Sequence, residues 1–350
     1  MIWLLRVIAL AIGTTIVIAI PISAVRTFVL PRGVSDPIAR VVFRAMGWLF
    51  RRFARPSRSY ADRDRVMALY APVTLLLLPV VWLACVLIGY ALIFWGLGVR
   101  PLGLAFKFSG SSLLTLGFAT VDQGWAVLLA FTEATMGLIL VALLIAYLPT
   151  FYGAWQRREA GVALIEVRAG SPPSPIEMLM RAQRLERLEL LDEVWSAWEA
   201  WFHDLGESHT SLAALAFFRS SHPDQSWVNT CGTVLDAAAL TASTVDRPRD
   251  VNAQLCLRAG YLALRRIADF FRIPYNANPE PDDAIALPRA TFEAAYDALA
   301  VAGVPVLADR DQAWRDFAGW RVNYDAVLTA LSDLTMAPPA PWLPDRPAPR

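Results

Sequence analysis

The chain has 350 residues, of which 56% are hydrophobic and 18% charged, with a mean hydropathy of +0.42. Soluble domains average about 25% charged and about 45–50% apolar, so an ordinary soluble enzyme of this size is excluded, as are disordered, collagen-like and disulfide-scaffold classes. The 32 Lys and Arg against 31 Asp and Glu give a formal net charge of +1, which argues against a basic nucleic-acid binder. The length allows roughly two domains of about 150 residues each. Cys85, Cys231 and Cys256 form no CxxC pair and read as small buried hydrophobes.

Three apolar stretches come first. Residues 7–25 are 19 residues without a charge, residues 66–99 are 34, and residues 123–156 hold one charge, Glu133. About 20 apolar residues in a helix cross a bilayer core of about 30 Å, so all three qualify. The first has basic residues after the apolar run and no small-residue cleavage site near Pro21–Arg26. It reads as a retained anchor rather than a secretory signal.

Arginine sets the expected orientation. Residues 31–65 carry nine Arg and three Asp, and the positive-inside rule places such a loop in the cytoplasm. The N-terminus then lies outside and everything after the third span inside the cell membrane. Trp95 and Trp125 fall near the outer interface, Tyr152 and Trp155 near the inner one. Within the loop, Arg40, Arg44, Arg51 and Arg55 project from one helical face, while Val41, Val42, Ala45, Leu49 and Phe53 gather towards the other. That pattern fits a helix lying in the interface, its cations among anionic headgroups. It fits equally a helix packed on the protein's own cytoplasmic part.

Residues 100–124 join the second and third spans. Leu102–Leu116 is largely apolar, Ser109, Gly110, Ser111 and Ser112 lie within it, and Thr115-Leu116-Gly117-Phe118-Ala119-Thr120 follows. A short apolar helix followed by a Gly-containing extended stretch, between two spans, predicts a re-entrant loop. Such backbone survives at membrane depth only when buried in protein or lining a watery cavity.

Over residues 66–158 the chain resembles the pore-loop potassium-channel superfamily, whose order is outer helix, pore helix, filter, inner helix. The family's filter reads Thr-Val-Gly-Tyr-Gly-Asp, and the matching positions here are Thr115, Leu116, Gly117, Phe118, Ala119 and Thr120. The resemblance implies a homotetramer around a central path, in which filter carbonyl oxygens replace the ion's hydration shell. It implies monovalent cations, potassium and also sodium, as permeant ions, with no other cofactor. It also makes Gly137, in the third span, a gating hinge. Three positions depart from the pattern. Ala119 replaces the second glycine, Leu114 a hydroxyl residue, and Thr120 an acid. Alanine pays about 1–2 kcal/mol in left-handed backbone, so the expectation is cation permeation rather than strict potassium selectivity.

Other charges near this loop have two readings each. Glu133 either braces the pore helix and puts negative potential near the ion path, or is a protonated or hydrogen-bonded core acid touching Ser111, Ser112 or Thr115. Asp122 either concentrates cations at the outer mouth or is a solvated loop residue. Lys107, the only lysine, is expected to snorkel to the outer interface. Pro149 removes a backbone donor and either shapes a gate or ends the helix.

Gly170-Ser171-Pro172-Pro173-Ser174-Pro175 is a breaker cluster. Beyond it, Met178, Leu185, Leu188, Leu191, Trp195, Trp198, Phe202 and Leu205 recur at helical spacing and predict one amphipathic helix, packed around a fourfold axis or within its own subunit. Further helices are expected over 226–244, 251–272, 288–302 and 309–335. Residues 337–350 hold six prolines and predict a flexible or polyproline end. His203, His209 and His222, with Asp204, Glu207 and Asp224, match no metal spacing, and no dinucleotide, phosphate-loop, nucleophile-elbow or zincin motif occurs. An enzyme is therefore not expected.

The resulting fold class is an all-α membrane protein: three transmembrane helices, a re-entrant pore helix and filter between the second and third, and an all-α cytoplasmic domain. Its segments are 1–30, the first span; 31–65, the Arg-rich interfacial stretch; 66–158, the pore domain; 159–175, a linker; 176–336, the helical domain; and 337–350, the Pro-rich tail. The expected partners are the lipid bilayer and three further copies of the chain, with any cytoplasmic ligand left open. The expected function is a tetrameric cation channel; the alternative is a nonconducting scaffold on the same fold. Residues 1–150 carry 13 basic and 5 acidic groups, a balance of +8, and residues 151–350 carry 19 and 26, a balance of −7.

Overall fold

A computed structural model of the chain describes residues 2–30, 36–54, 59–120, 123–248, 250–340 and 342. Among these residues the structure is helical, with no strand and one isolated antiparallel bridge, Val245 to Val306. It divides into two compact units, Met1–Phe53 with Leu69–Tyr152, and Ala54–Ala68 with Gly153–Arg350.

The first unit is built on α1 (Ile2–Phe28), α2 (Pro37–Phe53), α4 (Tyr70–Leu97), α5 (Leu102–Leu113) and the first part of α6 (Gly124–Ala169). Helix α3 (Tyr60–Ala68) precedes α4 and belongs to the second unit. Three stretches, Ile2–Phe28, Tyr60–Leu97 and Gly124–Ala169, are long and apolar enough to cross a membrane. The chain is thus an all-helical protein with three helices suited to a bilayer.

Helices α1 and α4 pack closely because glycines face each other. A Cβ on Gly13 would sit 2.5 Å from the Gly89 carbonyl oxygen. Small residues at such a crossing let two backbones approach, which is how helices gain dispersion contact where lipid supplies no hydrophobic drive. Near the other end of α1 the Ser23 hydroxyl donates to Asp36 at 2.7 Å and accepts from the Trp82 indole N–H at 3.0 Å. Asp36 also accepts from the Ala39 amide at 2.8 Å, so one buried carboxylate caps α2 and fixes it to α1. Ile38, Ala39 and Val42 of α2 pack on the core of this unit. The Phe43 and Phe50 rings flank Tyr70, whose hydroxyl donates to the Phe43 carbonyl. Of the apolar face expected for this helix, only Val42 is covered by the unit's core, whereas Val41, Ala45, Leu49 and Phe53 are exposed.

The second unit contains the rest of α6 with α7 (Pro175–Arg184), α8 (Leu191–Ser211), α9 (Trp227–Ser243), α10 (Val251–Phe271), α11 (Arg289–Val301), α12 (Arg310–Arg321) and α13 (Asp325–Thr335). Helix α9 is central: of its residues only Ala242 is not fully buried. Ser226 caps it by accepting from the Val228 amide.

Four expectations about this region change. The linker over 159–175 is helical as far as Ala169, because only the cluster from Gly170 onward carries breakers. The single helix expected from Met178 to Leu205 is two helices, separated at Glu186, whose φ is +52°, and by a 3₁₀ turn at Leu188–Leu190. The break lets α7 pack on α9 and α8 on α10; Met178, Leu191, Trp195, Trp198, Phe202 and Leu205 all enter the unit's own core. The helix expected over 309–335 breaks between Arg321 and Asp325. In the Pro-rich end, Ala337 and Trp342 are buried in the same core, and the Pro338 carbonyl accepts from Asn229 at 2.9 Å. The expectation of a flexible end over 343–350 falls outside the described residues.

The break before α13 brings four polar groups together. Arg321, fully buried, donates to Asp236 at 2.5 Å, to Asp325 at 2.9 Å and to the Trp342 carbonyl at 2.9 Å. The Tyr324 hydroxyl donates to Asp236 at 2.7 Å. Burial pushes the Asp236 carboxyl up, and the Arg321 guanidinium and Tyr324 hydroxyl pull it down. Asp325 also accepts from the Ala286 amide at 2.6 Å, which ties the long α10–α11 connection to this centre.

Candidate functional site

The stretch from Leu102 to Gly124 carries the candidate site. Helix α5 packs against α4, with Phe94 and Phe108 rings 4.7 Å apart. Its N-cap is Pro101, in extended backbone, whose carbonyl accepts from the Leu104 and Ala105 amides at 2.9 and 3.3 Å. Helix α5 ends at Leu113, and residues 116–120 follow as irregular backbone.

Ser111 holds that backbone in place. Its carbonyl accepts from the Leu116 amide at 2.8 Å and the Gly117 amide at 3.3 Å. Its hydroxyl accepts from the Ala119 amide at 3.1 Å. The Thr115 amide bonds the Ser112 carbonyl at 3.0 Å. Thr115 and Gly117 both take left-handed backbone, with φ of +55° and +70°, so the loop turns twice in three residues. Gly117 takes this conformation without steric cost; Thr115 does so at about 1–2 kcal/mol. Ala119, where the resemblance puts its second glycine, is not left-handed.

The result is a run of one-sided backbone. The amides of Thr115, Leu116, Gly117 and Ala119 are bonded, whereas among the described residues no donor reaches the carbonyls of Thr115, Leu116, Gly117 or Phe118. The Leu116 and Phe118 side chains are exposed, as are Thr115 and Thr120. Asp122 lies outside the described residues.

Glu133 and Gly137 brace this element from α6. Glu133 is fully buried and accepts a short hydrogen bond from the Ser109 hydroxyl, which also lies 2.9 Å from the Leu87 carbonyl. Its partner is Ser109, not Ser111, Ser112 or Thr115; Ser112 bonds its own helix at Phe108, and Thr115 faces outward. The second carboxyl oxygen has no partner among the described residues. One helical turn on, a Cβ at Gly137 would lie 2.6 Å from the Leu113 carbonyl oxygen. Gly137 is thus the point where the end of α5 rests on α6. Pro149 lies inside α6, which continues past it to Ala169. Lys107 is exposed on α5.

Ser109 and Ser111 are the bracing positions hardest to see in the sequence. Their signal is position alone: they sit two apart near the end of an apolar helix, where buried hydroxyls need partners.

A second feature of this unit is an apolar groove of about 370 Å³ bordered by Pro21 and Ala24 of α1 and by Phe131, Thr135 and Ile139 of α6. The Thr135 hydroxyl donates to the Phe131 carbonyl of its own helix, so the groove offers little free polarity.

The histidines do not converge. His203 and His222 are exposed, whereas His209 is buried, with Nδ1 3.0 Å from the Leu205 carbonyl and its ring 4.6 Å from that of Trp227. Among the described residues no group of three His, Cys, Asp or Glu side chains is placed to hold a metal. Comparison of the chain with protein-family models, with curated proteins and with solved structures finds no match.

Proposed function

We propose that the chain is the subunit of a homotetrameric cation channel in a cell membrane, with residues 115–120 as its filter. The observation that carries this reading is the run of four carbonyls, Thr115 to Phe118, left without donors while the neighbouring amides are bonded to Ser111 and Ser112. A desolvated monovalent cation needs several carbonyl oxygens in place of its water shell. One chain supplies one strand of such a shell, so four around an axis are required. In this reading α4 is the outer helix, α5 the pore helix entering from the outer face, and α6 the inner helix. Residues 100–124 form a re-entrant loop, and the helical second unit is a cytoplasmic regulatory or assembly domain.

The permeant ions in this reading are potassium and, with weak discrimination, sodium. Ala119 and Thr120 in place of glycine and an acid remove part of the ladder the resemblance implies. Asp122 supplies negative charge at the outer mouth, Glu133 fixes the pore helix through Ser109, and Gly137 and Pro149 are where α6 changes shape on gating.

A second reading is a nonconducting scaffold on the same fold. The exposed apolar Leu116 and Phe118 favour it, because such side chains also suit a dry contact between subunits. Reconstitution into liposomes separates the two. The channel reading expects potassium and sodium flux that Gly117→Ala reduces at least tenfold, because alanine at φ +70° costs about 1–2 kcal/mol and shifts the adjoining carbonyls. Stable tetramers without flux favour the scaffold. A stable monomer without flux overturns both.

A further inference from the structure

We infer that the outward face of α2 is a binding surface for the phosphates of anionic phospholipids. The inference rests on α2 and on the membrane-spanning character of its neighbours, not on the filter.

Helix α2 has two sides with different fates. Ile38, Ala39 and Val42 pack on the first unit's core, and Phe43 and Phe50 meet Tyr70. The opposite side is exposed and carries Val41, Arg44, Trp48, Arg51 and Arg52. Residues three and four apart on a helix are surface neighbours. Trp48 therefore has Arg44 one turn before it and Arg51 and Arg52 one turn after it. The indole is 69% exposed, and none of the three arginines forms a salt bridge with a described carboxylate, although fourteen such bridges are made among the described residues.

An exposed tryptophan encircled by unpaired arginines suits neither plain water nor hydrocarbon. It suits the headgroup layer, where the indole sits at the interface and guanidinium groups bind phosphate in bidentate fashion. The helix is already attached to the membrane-suited bundle through Asp36 and Tyr70, so its outward face is held against the layer where those phosphates lie. Charge complementarity selects anionic lipid: the stretch 31–65 holds nine arginines against three aspartates. A basic group near an anionic surface contributes about fivefold in affinity at moderate salt.

The experiment uses the full chain in nanodiscs of three parts phosphatidylcholine to one part phosphatidylglycerol. Native mass spectrometry then counts the lipids retained on release. The expected result is phosphatidylglycerol enrichment that falls at least tenfold in Arg44→Gln/Arg51→Gln/Arg52→Gln. The corresponding lysine variant keeps most of it, because the charge survives and only the bidentate geometry is lost. One molar salt weakens the enrichment in the unaltered chain. Undiminished enrichment in the glutamine variant, or no preference over phosphatidylcholine in the unaltered chain, overturns the inference. If the glutamine variant fails to fold, enrichment insensitive to one molar salt overturns it equally. Abolition of the enrichment by millimolar inorganic phosphate would reassign the site to a soluble anion and also overturn it.

Discussion

The two units solve the same packing problem in different ways. In the first, helices meet through missing side chains: Gly13 against Gly89, and Gly137 under Leu113. Its longest helix, α6, lies in a stretch whose most apolar window is only 17% buried. In the second unit α9 is enclosed on all sides, and the centre is polar, with Arg321 shared between two carboxylates. The difference teaches what each unit expects outside itself. A bundle that exposes leucine and phenylalanine along α6, such as Leu128, Phe131 and Leu138, presents an apolar face of the kind a bilayer accepts. The second bundle instead encloses its ion-pair network within its own core, around Arg321, Asp236 and Asp325.

The sharpest way to break this comparison is Arg321→Ala. It strands Asp236 and Asp325 in a buried site, and removing one partner of a buried pair costs about 3–5 kcal/mol. Chemical denaturation followed at the second unit should show that loss, with no dependence on the lipid or detergent used. A change below 1 kcal/mol would mean that water already reaches the network. The matching cut in the first unit is Gly13→Ala, whose Cβ would lie 2.5 Å from the Gly89 carbonyl oxygen. Forcing the helices apart costs about 1–3 kcal/mol. The expected signature is a lower melting temperature of the membrane unit alone, read by cysteine accessibility at Cys85. Equal melting of variant and parent would show that α1 slides freely on α4.

Acid should distinguish the units further. His209 is held neutral: burial and the Arg158 guanidinium both lower its value well below 6.5. Nδ1–H donates to the Leu205 carbonyl, and among the described residues Nε2 has no acceptor for the N–H that a second proton would create. Above pH 6.5 the folded and unfolded chains are alike in this group, so it contributes nothing. Below pH 6.5 the unfolded chain binds a proton that the folded site refuses. Stability then falls by up to about 1.4 kcal/mol per pH unit until the folded value is reached. The parent minus His209→Phe difference isolates this slope, because Asp236 and Asp250 titrate in both proteins. Denaturation at pH 6.5 and 5.5 measures it, and identical slopes in the two proteins would refute the assignment.

What could be read in advance follows the same division. The three apolar runs were legible because a bilayer demands about 20 uncharged residues and little else. Helices α9, α10 and α11 were placed to within a residue or two because Ser226, Asp250 and Pro288 mark their starts. The breaks at Glu186 and after Arg321 were not legible. Neither carries glycine or proline, and each exists because a distant surface rewards it: the α7 seat on α9 in one case, Asp236 in the other. At the candidate site, Thr115 to Thr120 stood out by pattern, whereas Ser109 and Ser111 acquire their roles only through Glu133 and the Ala119 amide.

Ser111→Ala gives the smallest expected effect and the finest comparison. The substitution keeps the carbonyl that receives Leu116 and Gly117 but removes the hydroxyl that receives the Ala119 amide. One such bond is worth about 0.5–1.5 kcal/mol net. That is too little to unfold α5, which Glu133 and Leu113 still hold to α6. Amide exchange should therefore speed up by roughly fivefold to tenfold at Phe118–Thr120 while the protection of α5 and of the second unit stays unchanged. In the channel reading the same loosening lowers discrimination between potassium and sodium before it lowers total flux, because selectivity depends on carbonyl placement. Faster exchange with unaltered selectivity would separate the brace from the filter and leave Ser111 a purely architectural residue.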